Sequence, residues 1–107
     1  MTRARLAALG RFSEPALLIL ISLADGPKHG YAMVHDIQSL SGERLGPGTL
    51  YGAISRLERL GLIAPLPADD RRRPYELTQA GATVLRTELD ALARLSTAGL
   101  QRLTATV

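Results

Sequence analysis

The sequence predicts a mainly α chain with one small β-hairpin and a long C-terminal helix, and three observations carry that reading. Three apolar segments of helical character precede residue 61, punctuated by Pro and Gly. Two strand-like runs, "LIAPLP" and "RPYELT", then flank the turn-forming "ADDRRR". Beyond Thr78, leucines recur at helical spacing. Three helices, a hairpin and a further helix spell a winged helix-turn-helix with a C-terminal dimerisation helix. The chain reads as one structural unit: residues 1–78 form the winged part, and residues 79–107 form the terminal helix.

Each element has its own warrant. A short helix is expected over residues 3–10. Ser13 marks the next start as a cap, with Pro15 suited to the first turn. "PALLILISLA", Pro15–Ala24, is apolar nearly all round and belongs at the centre of the core. It is about half the length of a membrane span, and "DGP" ends it. "KHGYAMVHDIQSLSG", Lys28–Gly42, predicts a second helix with Met33, Ile37 and Leu40 facing inward.

The third helix runs from Pro47 to about Leu60, with Pro47 at its first position and Gly61 just past its end. Its inner stripe is Leu50, Ala53, Ile54, Leu57 and Leu60. Pro65 and Pro67 place the first hairpin strand at a sheet edge. Thr78 caps the last helix, which extends to about Leu103, although Gly99 and three Thr weaken its second half. Leu85, Leu89, Leu92 and Leu103 line one face of it. A domain this small has little of its own to bury such a helix, so a homodimer is expected. Leu6, Leu9 and Phe12 are expected to pack against the partner's long helix.

Composition bounds the function. The 107 residues are 46% apolar and 21% charged, as in one soluble globular domain. There is no Cys, which excludes disulfides, thiolate metal sites and a Cys nucleophile. The N-terminal apolar run is too short and broken for a signal peptide, so a cytoplasmic location is expected. Two His without Cys give little support for a metal, and no cofactor is implied. No nucleophile–base or paired-carboxylate arrangement stands out, and Asp69-Asp70 reads as a turn, so no enzyme is expected. Net charge is +3, and from Arg44 to Glu76 six Arg outweigh four acids. That local excess suits a polyanion, while an ordinary solvated surface is an equal alternative on charge alone.

The outer face of the third helix sharpens the choice. Gly48, Tyr51, Gly52, Ser55 and Arg59 recur along it, with Thr49, Arg56 and Arg59 at the flanks. Gly in a helix interior costs about 1 kcal/mol relative to Ala. The gain is close backbone approach: bare first-turn N–H groups and a positive dipole end favour phosphate. Thr49 and Tyr51 can touch phosphates or base edges. Alternatively, Gly48 and Gly52 relieve packing against another helix. Arg71, Arg72 and Arg73 at the hairpin tip read as a wing on DNA, or as solvated charge tempered by Asp69 and Asp70. Lys28 and His29 offer a further phosphate contact, although His29 can instead cap its helix and Tyr31 can be core.

"EPALLILISLADGPKHGYAMVHDI", "LGPGTLYGAISRLERLGLI" and "DDRRRPYELTQAG" resemble, in order and spacing, the PadR family of bacterial transcriptional regulators. The match covers roughly residues 12–81, and "HGY" and "GPGTLY" are its most telling blocks. The resemblance implies a winged helix, a homodimer built through the C-terminal helix, and binding to a palindromic DNA operator, usually as a repressor. The single terminal helix resembles the compact subfamily. Family members often release DNA on binding a small aromatic or drug-like effector. Here the terminal helix has no aromatic residue to stack on such a molecule. The competing reading is a winged helix that contacts protein, whose binding would depend little on salt.

Overall fold

The computed structural model describes residues 14–105. In chain order the elements are α1 (Pro15–Leu23), β1 (Lys28–His29), α2 (Gly30–Ser41), α3 (Pro47–Arg59), β2 (Ile63–Pro65), β3 (Pro74–Leu77) and α4 (Gln79–Ala105). The predicted helix over residues 3–10, the Ser13 cap, Leu6, Leu9 and Phe12 lie outside the described residues.

α1 is the hub. Leu18, Ile19, Leu20 and Leu23 are buried, and α1 touches α2, α3, α4 and β3. Pro15 opens it behind Glu14, which supplies no side-chain cap. Ser22 is also buried, and its hydroxyl donates to the Asp36 carboxylate at 2.6 Å, so the one polar side chain of this face is satisfied. Met33 and Ile37 from α2, and Leu50, Ala53, Ile54 and Leu57 from α3, complete the centre with Ile63 and Leu85.

Two expected core positions fall outside it. Leu40 is 59% exposed and Leu60 is 64% exposed. Leu40 sits in the last turn of α2 and Leu60 just past α3, where the chain leaves the core and the apolar stripe runs past its partners.

The second helix is shorter than its sequence implied. Lys28 and His29 are extended and pair with β3, Lys28 opposite Tyr75 and His29 opposite Pro74. The predicted two-stranded hairpin is therefore a three-stranded antiparallel sheet in the order β1-β3-β2. A two-residue strand has no periodicity to read, so the sequence merged it with the helix that follows. β2 is an edge strand, as its Pro65 requires. Pro74, which cannot donate, opens β3.

α4 is fastened to the body at its start. The Thr78 hydroxyl accepts from the Gly81 N–H at 3.0 Å and donates to the Gly61 carbonyl at 2.7 Å. The Thr78 N–H reaches the Leu62 carbonyl. Gly81 is obligatory here, because a Cβ on it would overlap the Leu62 carbonyl oxygen. Past Leu92 the helix leaves the body.

Candidate nucleic-acid interface

Gly46 precedes α3 in extended conformation and offers no side-chain cap, and Pro47 occupies the first turn. Gly48 and Thr49 stand exposed at the helix start, so the first-turn backbone is open to an acceptor from outside. Tyr51, Gly52, Ser55 and Arg59 continue the exposed face. A Cβ added at Gly48 or Gly52 meets nothing within 4 Å. Among the described residues neither glycine makes room for packing, which removes the packing alternative within the protomer.

Tyr51 is half-exposed and leans towards α2. A Cβ on Gly30 would stand 2.5 Å from the Tyr51 hydroxyl oxygen, so buried Gly30 is a seat for that ring. The sequence signal for Gly30 is its place in "HGY", directly after the capping His29. Tyr31 is not core: it is exposed and meets His35 edge-on.

The wing turns tightly. Asp69 and Arg72 exchange both backbone hydrogen bonds, leaving Asp70 and Arg71 as a two-residue loop with φ of 50° and 67°. Two successive positive φ values are the mark of a type I′ hairpin turn, which favours Asn-Gly. Asp tolerates this backbone, whereas an arginine there is strained. Arg71, Arg72 and Arg73 are exposed and make no ion pair with a carboxylate among the described residues. The Arg73 guanidinium donates to the Leu66 carbonyl at 3.2 Å, bracing the wing.

Helix and wing enclose a cleft of about 410 Å³ lined by His29, Gly30, Tyr31, Tyr51, Tyr75 and the three wing arginines. Tyr75, half-buried, is one of its walls. Burial pushes its phenol above the ordinary 10.0, the Glu58 and Tyr51 charges add to this, and Arg73 opposes it. The ring stays protonated and neutral at physiological pH.

Two predicted contact residues lie elsewhere. The Lys28 ammonium is held by the Asp25 carboxylate and the Ser22 carbonyl, 3.8 Å from Asp36. It pins the α1–α2 corner and is not a free cation at the site. Arg56 lines a groove between α1, α3 and α4, together with Leu17, Leu20, Leu60 and Glu88, on another side of α3.

The expected dimer residues also divide. Leu85 is buried in the protomer's own core and presents nothing to a second subunit. Leu89 and Leu103 are exposed, and Leu92 is half-buried. Leu95 and Leu100, which the sequence reading passed over, are 69% and 63% exposed. Among the described residues no group of three acids and histidines could hold a metal. No described helix is long and apolar enough to cross a membrane.

The family model of the PadR-like transcriptional regulators matches residues 19–87. The chain is 39% identical over 83 residues to transcriptional regulator Rv3488 of Mycobacterium tuberculosis, covering 75% of this chain and 77% of that protein. It is 50% identical over 86 residues to an uncharacterized 37.1 kDa protein in a Streptomyces fradiae transposon, covering 80% of this chain and 25% of that protein. The chain thus spans a quarter of the Streptomyces relative's length. Among solved structures, a PadR family transcription regulator from Clostridium difficile superposes with a TM-score of 0.75 at 25% identity, over 85% of this chain and 99% of that one. A transcriptional regulator from Clostridium thermocellum shares the fold with a TM-score of 0.69 at 24% identity, over 78% of this chain and 86% of that one. The family is one of regulators and not of enzymes, and by the reach of its model over the helices and wing this chain belongs to the PadR-like transcriptional regulators.

Proposed function

We propose that the chain is a cytoplasmic regulator that binds double-stranded operator DNA as a homodimer, with α3 in the major groove and the wing on the flanking backbone. The observation that carries this is the pair of glycines on the outer face of α3, each opening onto empty space beside a wing of three exposed arginines, none ion-paired with a carboxylate among the described residues. A helix gains nothing for its own stability from such glycines. A phosphate backbone close to the helix gives them a use. Thr49, Tyr51, Ser55 and Arg59 then face base edges and phosphates, and Arg71 to Arg73 neutralise the flank.

Dimerisation is supported by the exposed leucines of α4 and by the groove beside its root. That groove, about 340 Å³, presents Leu17, Leu60, Val84 and Leu92 to the outside. A two-fold dimer would read a palindromic operator, each protomer taking one half-site. Repression follows from occupancy of such a site near a promoter. Release by a small effector is the family's habit carried over to this chain, and the α1–α3–α4 groove is the apolar space that would take it.

The test is binding to DNA upstream of the chain's own gene, by fluorescence anisotropy across a salt series, beside a random duplex. Tight, salt-sensitive and sequence-selective binding is expected. Salt-independent affinity, or none for either duplex, would assign the α3 face to a protein partner.

A further inference from the structure

His29 is placed between a helix and the wing, and its two ring nitrogens make incompatible demands. It caps α2: the Ala32 N–H donates to Nδ1 at 3.3 Å. A neutral imidazole that accepts at Nδ1 carries its proton on Nε2. That Nε2 stands 3.4 Å from a guanidinium nitrogen of Arg72. Arginine has donors and no acceptor, so the two groups face each other donor to donor. If the proton moves to Nδ1, the cap is lost. The carboxylates of Asp69 and Asp70 line the same hollow, yet neither forms a side-chain hydrogen bond or ion pair with His29 or Arg72 among the described residues.

We propose that His29 and Arg72 form a two-donor clamp for a single phosphodiester oxygen of bound DNA, with the His29 tautomer set by its capping bond. One oxyanion accepts from both groups and turns a repulsive contact into two charge-assisted hydrogen bonds. The sheet holds the spacing, because His29 pairs with Pro74, two residues from Arg72. Lys28, tied to Asp25, fixes the backbone just before His29 and leaves the phosphate to the imidazole. The clamp thus joins the recognition half of the fold to its wing through the ligand. It rests on the DNA-binding reading above.

The experiment is a two-by-two cycle on the whole chain: wild type, His29→Ser, Arg72→Ala and the double variant. Serine preserves the cap and removes the second donor. Each variant is titrated with the upstream duplex over a salt series, and each is melted by circular dichroism. His29→Ser should keep its Tm and lose about tenfold in affinity, with little change in the salt slope, since a neutral imidazole displaces no counterion. Arg72→Ala should flatten the slope by about 0.9, and the affinity loss of the double variant should fall short of the sum of the single losses, because both groups hold one phosphate. Unchanged binding by His29→Ser, or affinity losses that add in full in the double variant, would overturn the clamp while leaving DNA binding intact. Absence of binding by the wild type would overturn both. Should His29→Ser melt early, His29→Asn, a second capping residue, takes its place in the cycle, under the same criteria.

Discussion

A methyl group added at Gly52 points into open space, while one added at Gly81 meets the Leu62 carbonyl oxygen. Both glycines lie in helices, and helix propensity treats them alike. Gly52→Ala should therefore hold or raise stability by up to about 1 kcal/mol and weaken operator binding, since the methyl intrudes between helix and DNA. Gly81→Ala should lower stability by about 1–3 kcal/mol, because the helix must shift off the turn that Thr78 ties down. Urea midpoints and duplex titrations on the two variants check the contrast. A loss of stability with full DNA affinity in Gly52→Ala would sink the DNA-facing assignment. The exposure of Gly52 was legible in the sequence, because it falls opposite the apolar stripe of Leu50, Ala53, Ile54 and Leu57. The sequence was silent on Gly81, because the Leu62 carbonyl approaches from nineteen positions away. Such a clash exists only once the chain has folded.

At the scale of elements, the wing shows a rule being broken. Arg71 occupies a backbone position with φ of 67° that glycine would hold without strain. Arg71→Gly should stabilise the turn by a few tenths to about 1 kcal/mol while weakening DNA binding and flattening its salt slope by about 0.9. Thermal melts and salt titrations read the two effects separately; unchanged affinity would make Arg71 a bystander. The corner before α2 carries a pH dependence. The hydrogen bond and charge of Lys28 hold the Asp25 carboxyl below its ordinary 3.8, even though Asp25 is fully exposed. A depressed carboxylate contributes stability above its unfolded pKa and loses it as the pH falls through the folded one. Acid titration of Asp25→Asn should show a shallower stability loss below about pH 4 than the wild type. The hairpin and its arginine tip were legible from turn residues and charge. The third strand was not: Lys28 and His29 look like a helix start, and only Tyr75 and Pro74 across the sheet make them a strand.

For the whole molecule, the decisive fact is that α4 begins inside the winged body and ends outside it. Its first two turns are part of the winged body, with Gly81 and Leu85 buried. A division of the chain at residue 78 would cut through that core, so truncation there tests folding and not assembly. Leu85→Ala alone should cost about 2–5 kcal/mol, as other buried leucines do. Beyond Leu92 the helix runs roughly 20 Å further at 1.5 Å per residue, carrying Leu95 and Leu100 outward. Two such leucines in water gain nothing from their exposure, and a second copy offers the same pair in return. The discriminating variant spares the body: Leu95→Lys with Leu100→Lys places charges on the outer part of α4 and leaves Leu85 in place. Sedimentation at micromolar concentration should find the wild type dimeric and this variant monomeric, with an unchanged far-ultraviolet spectrum. Its operator affinity should fall by more than tenfold, because a lone winged body holds one half-site and loses the linkage to the second. A wild-type chain that sediments as a monomer would leave those leucines to another partner and end the case for a two-fold reader of DNA.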